Sequence, residues 1–126
     1  MNKYRIGLIL TAVAGFLAVA IGAFGAHALK SLLTENNRLD TFELASRYHF
    51  YHTLVLLSTS LLLKQNHSKR FFLSLVFIVT GMILFSGSLY ILAITNYTPI
   101  AMITPVGGLF LLAGWAVLLY AAFEKN

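Results

Sequence analysis

The sequence contains no cysteine, only two prolines and one tryptophan, and little charge: nine Lys or Arg and four Asp or Glu among 126 residues. Without cysteine there is no disulfide, thiolate metal site or cysteine nucleophile. The scarcity of charge excludes a soluble domain, because a water-facing surface around so small a core carries far more of it. Chain length allows one domain. Ser/Gly linkers, low-complexity tracts and sustained strand alternation are also missing. So are a carboxylate pair, a Gly-rich phosphate loop and a Ser-His-Asp constellation, and the reading is therefore not an enzyme and without a cofactor. What fills the chain is apolar sequence, 59% hydrophobic against 10% charged.

Long uncharged runs give the architecture. Ile6 to Leu29 is 24 residues without a formal charge, which as a helix reaches ~36 Å against a hydrocarbon core of ~30 Å. Tyr48 to Leu63 is a shorter run, extended backwards by "LDTFELASR", where Asp40 is expected as N-cap and Glu43 as its capping-box partner. Phe71 to Phe123 holds 53 residues with no Asp, Glu, Lys or Arg, enough for two crossings. The break falls in "TNYTPIAMITP", with either Thr98–Pro99 or Pro105 opening the last helix. The expectation is an all-α integral membrane four-helix bundle, a single transmembrane domain with spans at about 6–29, 41–63, 71–94 and 99–122.

Charge sets the threading. Lys3, Arg5, Lys64, Lys69, Arg70 and Lys125 fall on one side with Glu124, whereas Lys30, Arg38 and Arg47 on the other are balanced by Glu35, Asp40 and Glu43. Basic residues gather on cytoplasmic segments, so both termini are expected in the cytoplasm, in the cell (inner) membrane. The basic balance thus reads as topology and anionic-lipid contact, with no nucleic-acid partner. A rival reading takes Met1 to Ala28 as a signal peptide cleaved after "AHA"; its apolar region exceeds the usual ~7–15 residues.

Within the first span, Gly7, Thr11, Gly15, Ala18, Gly22 and Gly25 form one stripe of small residues. Apolar side chains gain little by leaving lipid, so close packing substitutes, against another helix of this chain or a second copy. Gly107 and Gly108 repeat the device in the last span. Threading brings His27, His49 and His52 towards one outer boundary, where "SGSLY", Ser86 to Tyr90, and Thr104 also arrive. Hydroxyls can bond their own helix backbone, whereas an imidazole needs a partner.

Four blocks, "GFLAVAIGAFGAHAL", "YHFYHTLVLL", "LFSGSLYILA" and "TPVGGLFLLAGWAV", resemble in order those of domain-of-unknown-function family 423, with a distant resemblance to transmembrane protein 256. The resemblance covers nearly the whole chain. It implies four spans, no assigned activity, and motif positions at His27, His52, Ser86, Gly87, Ser88, Tyr90, Thr104, Pro105, Gly107 and Gly108, with His49 incidental and His67 a solvated loop residue. The candidate site is thus an outer polar cluster of His27, His52, Ser86, Ser88, Tyr90 and Thr104, beside helix-packing Gly15, Gly22, Gly25, Gly87, Gly107 and Gly108. A metal or haem between two histidines lacks a third donor, so no metal is assigned. The expected role is a structural or assembly component of the membrane whose partners are the lipid bilayer and other membrane proteins or itself. The alternative is a small transporter or channel-like subunit built on the His/Ser/Tyr pocket.

Overall fold

Asn2 starts the first helix: its backbone is extended and its side-chain oxygen accepts from the Arg5 N–H at 2.8 Å, satisfying a donor that a helix N-terminus leaves bare. From there the computed structural model, which describes residues 1–125, is helical, with no strand among those residues. Helix α1 is Lys3–Ala26, α2 Lys30–Glu35, α3 Leu39–Gln65, α4 Lys69–Thr95 and α5 Thr104–Ala121, with a 3-10 turn at Thr98–Met102. Both sequence candidates for opening the last helix are used: Thr98–Pro99 begins the 3-10 turn, and Thr104–Pro105 begins α5. Helices α1, α4 and the segment Thr98–Ala121 are long and apolar enough to cross a membrane. Helix α3 equals α4 in length, but its first turns carry Asp40, Glu43 and Arg47.

Two boundaries differ from expectation. The first helix ends at Ala26 instead of Leu29, and the short α2 follows, anchored by the fully buried Leu33. Helix α2 closes in a Schellman turn: Asn37 has φ 54, its N–H bonds Thr34 O at 3.0 Å, and the Arg38 N–H bonds Leu33 O at 2.9 Å. That turn hands the chain directly to α3, so Arg38 occupies the cap position and makes no side-chain cap bond. Asp40 therefore stands inside the first turn, where its charge suits the helix dipole. The expected Asp40–Glu43 capping box does not form.

Packing is by neighbours in a row: α1 lies on α3, α3 on α4, and α4 on α5. The bundle is open, for α1 and α5 do not pack together. The reason lies in where the small residues point. A side chain added at Gly7 would overlap Ser60 Oγ, and one at Gly25 would overlap the Phe42 ring, so the stripe of α1 is spent on α3. Gly15 and Gly22 make ordinary contacts with Thr53 and Phe50 of the same helix. Gly107 lies against the backbone of Phe85, and Gly114 against Ile78, so α5 spends its glycines on α4. Nothing remains on either helix to draw α1 to α5, and lipid supplies no hydrophobic drive to close the gap.

Gly87 departs from the packing role expected of it. No atom lies within 4 Å of where its Cβ would stand. Two apolar clusters fill the seams, one around Leu33, Phe42 and Leu89, the other around Leu56, Leu75, Ile78 and Leu111. Large apolar side chains face outwards, with Phe16 75% and Leu112 67% exposed, as a lipid-facing surface requires and a water-facing one does not.

Candidate functional site

Helix α3 carries two buried imidazoles at i and i+3, His49 and His52, which share a side of the helix but address different neighbours. The Nε2 of His49 is 2.9 Å from the carbonyl oxygen of Ala14 on α1, and its Nδ1 is 2.9 Å from the Tyr90 hydroxyl on α4. A carbonyl only accepts, so Nε2 carries a proton, and in the neutral ring Nδ1 accepts from the Tyr90 hydroxyl. His52 has the opposite tautomer. Its Nδ1–H donates to Tyr48 O at 2.8 Å, and its Nε2 accepts from the Trp115 indole N–H of α5 at 3.1 Å. Tryptophan can only donate. The His52 ring is therefore neutral, and every nitrogen of both rings is in use.

Ring contacts reinforce the same directions. His52 stacks on Tyr48, with centroids 5.9 Å apart, and meets Trp115 edge-on at 6.1 Å. His49 meets Tyr90 edge-on at 5.9 Å. Such geometries add to what burial alone contributes.

The hydroxyls expected in one cluster are divided among these seams. Ser86 Oγ donates to Ala45 O at 2.8 Å, joining α4 to α3. Ser88 Oγ donates to Phe85 O at 2.9 Å and lies 2.6 Å from Thr104 Oγ1, joining α4 to α5. Lower in that seam, Ser74 Oγ donates to Gly114 O at 2.7 Å. Most other hydroxyls, such as Thr11, Thr53, Thr59 and Ser60, bond the carbonyl four residues back in their own helix. Among the described residues no buried side-chain nitrogen or oxygen lacks a partner.

His27 is not brought to His52. It stands at the C-terminal cap of α1 with an exposed ring, and its backbone N–H bonds Ala23 O at 3.2 Å. The reason is the early end of α1: the turn after Ala26 carries His27 off the helix before it can face α3. His49, set aside from sequence, occupies the inward position instead. One signal pointed to it: Phe42, Ala45, His49, His52 and Leu56 recur at three- and four-residue spacing, and all are buried. Trp115 was also missed as a partner, although an indole N–H that is not left in water needs an acceptor.

Two grooves flank these contacts. One, of about 320 Å³, runs between α1 and α4 over α3, with apolar walls and His49, Ser86, Gly87 and Tyr90 among its lining residues. The other, of about 390 Å³, lies beside His52 and Trp115, bordered by Tyr48, Phe85 and Pro105. Among the described residues, no three His, Asp or Glu side chains gather where they could hold a metal ion.

A helical chain with outward apolar faces and polar groups turned onto its own helices is a multi-pass membrane protein. Its residues 21–108 match the family described as "Protein of unknown function (DUF423)". The UPF0382 inner membrane protein YgdD of Escherichia coli is 41% identical over 120 residues, covering 95% of this chain and 91% of that protein. A UPF0382 membrane protein of Haemophilus influenzae is 41% identical over 126 residues, covering 99% and 97%. One from Staphylococcus aureus is 36% identical over 120 residues, covering 95% and 97%. No solved structure matches. The chain belongs to the DUF423 family, and its place is the cell membrane.

Proposed function

We propose that this protein is a non-enzymatic, four-crossing component of the cell membrane with both termini in the cytoplasm, a structural or assembly element whose buried histidines tie its helices together. The observation that carries this reading is the use of all four imidazole nitrogens of His49 and His52. Two hold α3's neighbours on either flank, Ala14 and Tyr90; a third takes the Trp115 N–H of α5; the fourth donates to α3's own backbone at Tyr48. Rings so engaged are poorly placed to shuttle protons or ligate metal, since each such act would first break a hydrogen bond, three of the four of them interhelical. The fourth crossing is α3, whose 27 residues reach ~40 Å, enough to span lipid with its charged first turns outside.

The rival is a small permeation subunit, favoured by His49, Ser86 and Tyr90 lining the groove between α1 and α4. Purified protein in liposomes separates the two. The structural reading expects no solute or proton flux above empty liposomes, together with a lower unfolding midpoint for His49→Ala and His52→Ala. Flux that His49→Ala abolishes without loss of stability would overturn it.

A further inference from the structure

The groove between α1 and α4 has a polar counterpart at one end that the histidine cross-links do not use. Both helices begin on the same side, because α3 runs antiparallel to each, so Lys3 and Lys69 open them at one boundary. Along α1, Lys3 precedes Leu10 and Leu17 by seven and fourteen residues, and both leucines line the groove. Along α4, Phe72 precedes Val79 by seven residues and Lys69 precedes Ile83 by fourteen, and these too are lining residues. Seven-residue steps keep a helix face to within ~20° per step. Lys3 Nζ lies 5.2 Å from the Phe72 ring centroid, reaching from α1 across to α4 one seven-residue step before the lining residues Leu10 and Val79. Neither lysine has a carboxylate partner among the described residues; the ion pair found there joins Arg70 to Glu124 at 3.9 Å.

We propose that this groove is a binding site for one anionic phospholipid, with an acyl chain between α1 and α4 and the phosphate held by Lys3 and Lys69. Lengths agree with such an occupant. The lining residues Leu10 to Ile21 extend ~16 Å along α1, and Lys3 stands ~10 Å beyond Leu10, about where a headgroup follows its chain. The groove opens sideways into lipid because α1 and α4 barely touch, and Gly87 leaves free volume on its wall. Two unpaired cations favour an anionic over a zwitterionic headgroup. This goes beyond the structural role proposed above, which would stand if the groove bound nothing.

The test is lipid retention by the full chain, purified and exposed to equimolar dioleoylphosphatidylglycerol and dioleoylphosphatidylcholine, then read by native mass spectrometry. Wild type is expected to hold phosphatidylglycerol in excess by at least about 5-fold. Lys3→Gln with Lys69→Gln brings the ratio close to one. Arg5→Gln with Lys64→Gln removes the same charge from positions that seven-residue steps do not carry onto the groove lining, and leaves the ratio unchanged. Gly87→Leu starts from a Cβ with nothing within 4 Å and extends into the groove, so it is expected to keep the wild-type unfolding midpoint and lower retention of both lipids. An even ratio in wild type, an equal fall in the Arg5/Lys64 pair, or undiminished retention by Gly87→Leu would each overturn the proposal.

Discussion

One methyl group separates Gly107 from Gly87. At Gly107 it would meet the backbone of Leu84 and Phe85, which cannot rotate away, whereas at Gly87 it would meet nothing. Gly107→Ala is therefore expected to destabilise by about 1–3 kcal/mol, the range for forcing extra volume into a packed seam, and Gly87→Ala to stay within about 0.5 kcal/mol. Equilibrium unfolding in mixed micelles measures both. Equal effects would mean that α5 does not approach α4 as closely as Gly107 places it. The histidines show what a sequence conveys at this scale. That an imidazole in an apolar run needs a partner is chemistry, readable at once. Which of His27, His49 and His52 turns inwards depends on a helix ending at Ala26, a tertiary fact with no strong local marker.

Helix ends in this protein are finished by neighbouring elements. The last carbonyls of α4 lack N–H donors within their helix; Asn36, after α2, donates its side-chain amide to Ala93 O at 3.1 Å and Ile94 O at 3.2 Å. Arg38 Nε adds a bond to Asn96 Oδ1 at 3.0 Å, where Asn96 caps α4 with φ 55. Asn36→Ala should cost about 1 kcal/mol and speed hydrogen exchange in the last turn of α4, while the first turn is unaffected. Unchanged exchange there would show that α2 does not clasp α4. The opposite end is closed similarly, with Ser68 donating to the Glu124 carboxylate and Arg70 stacked over the Tyr120 ring at 4.0 Å. The long helices were legible because charge-free runs and the two Thr-Pro pairs mark them without reference to anything else. Six-residue α2 was not, since it is too short for periodicity and depends on Leu33 docking among Phe42, Leu89 and Tyr90.

For the molecule as a whole, the stripe of small residues announced close packing, and it is spent inside the chain, α1 on α3. The open row was not legible, because in lipid an apolar face gives no hint of whether a helix or a hydrocarbon chain covers it. Charge remains the guide to threading: all the net positive charge lies at the end bearing both termini. Because the chain has no native cysteine, Glu35→Cys introduces a unique label on the α2 segment. An impermeant maleimide added to intact cells is expected to modify it, while reporters fused at either terminus register the cytoplasm. Labelling only after lysis would refute this orientation, and termini on opposite sides would refute four crossings.

The most direct measurement of the structural role of the imidazoles is a double-mutant cycle on His49 and Tyr90 by unfolding in mixed micelles, with His49→Ala, Tyr90→Phe and the pair. A coupling of about 0.6 kcal/mol, reaching about 1.7 at most, is the expected result for an interhelical hydrogen bond in this setting. Zero coupling, with His49→Ala unfolding at the wild-type midpoint, would contradict it.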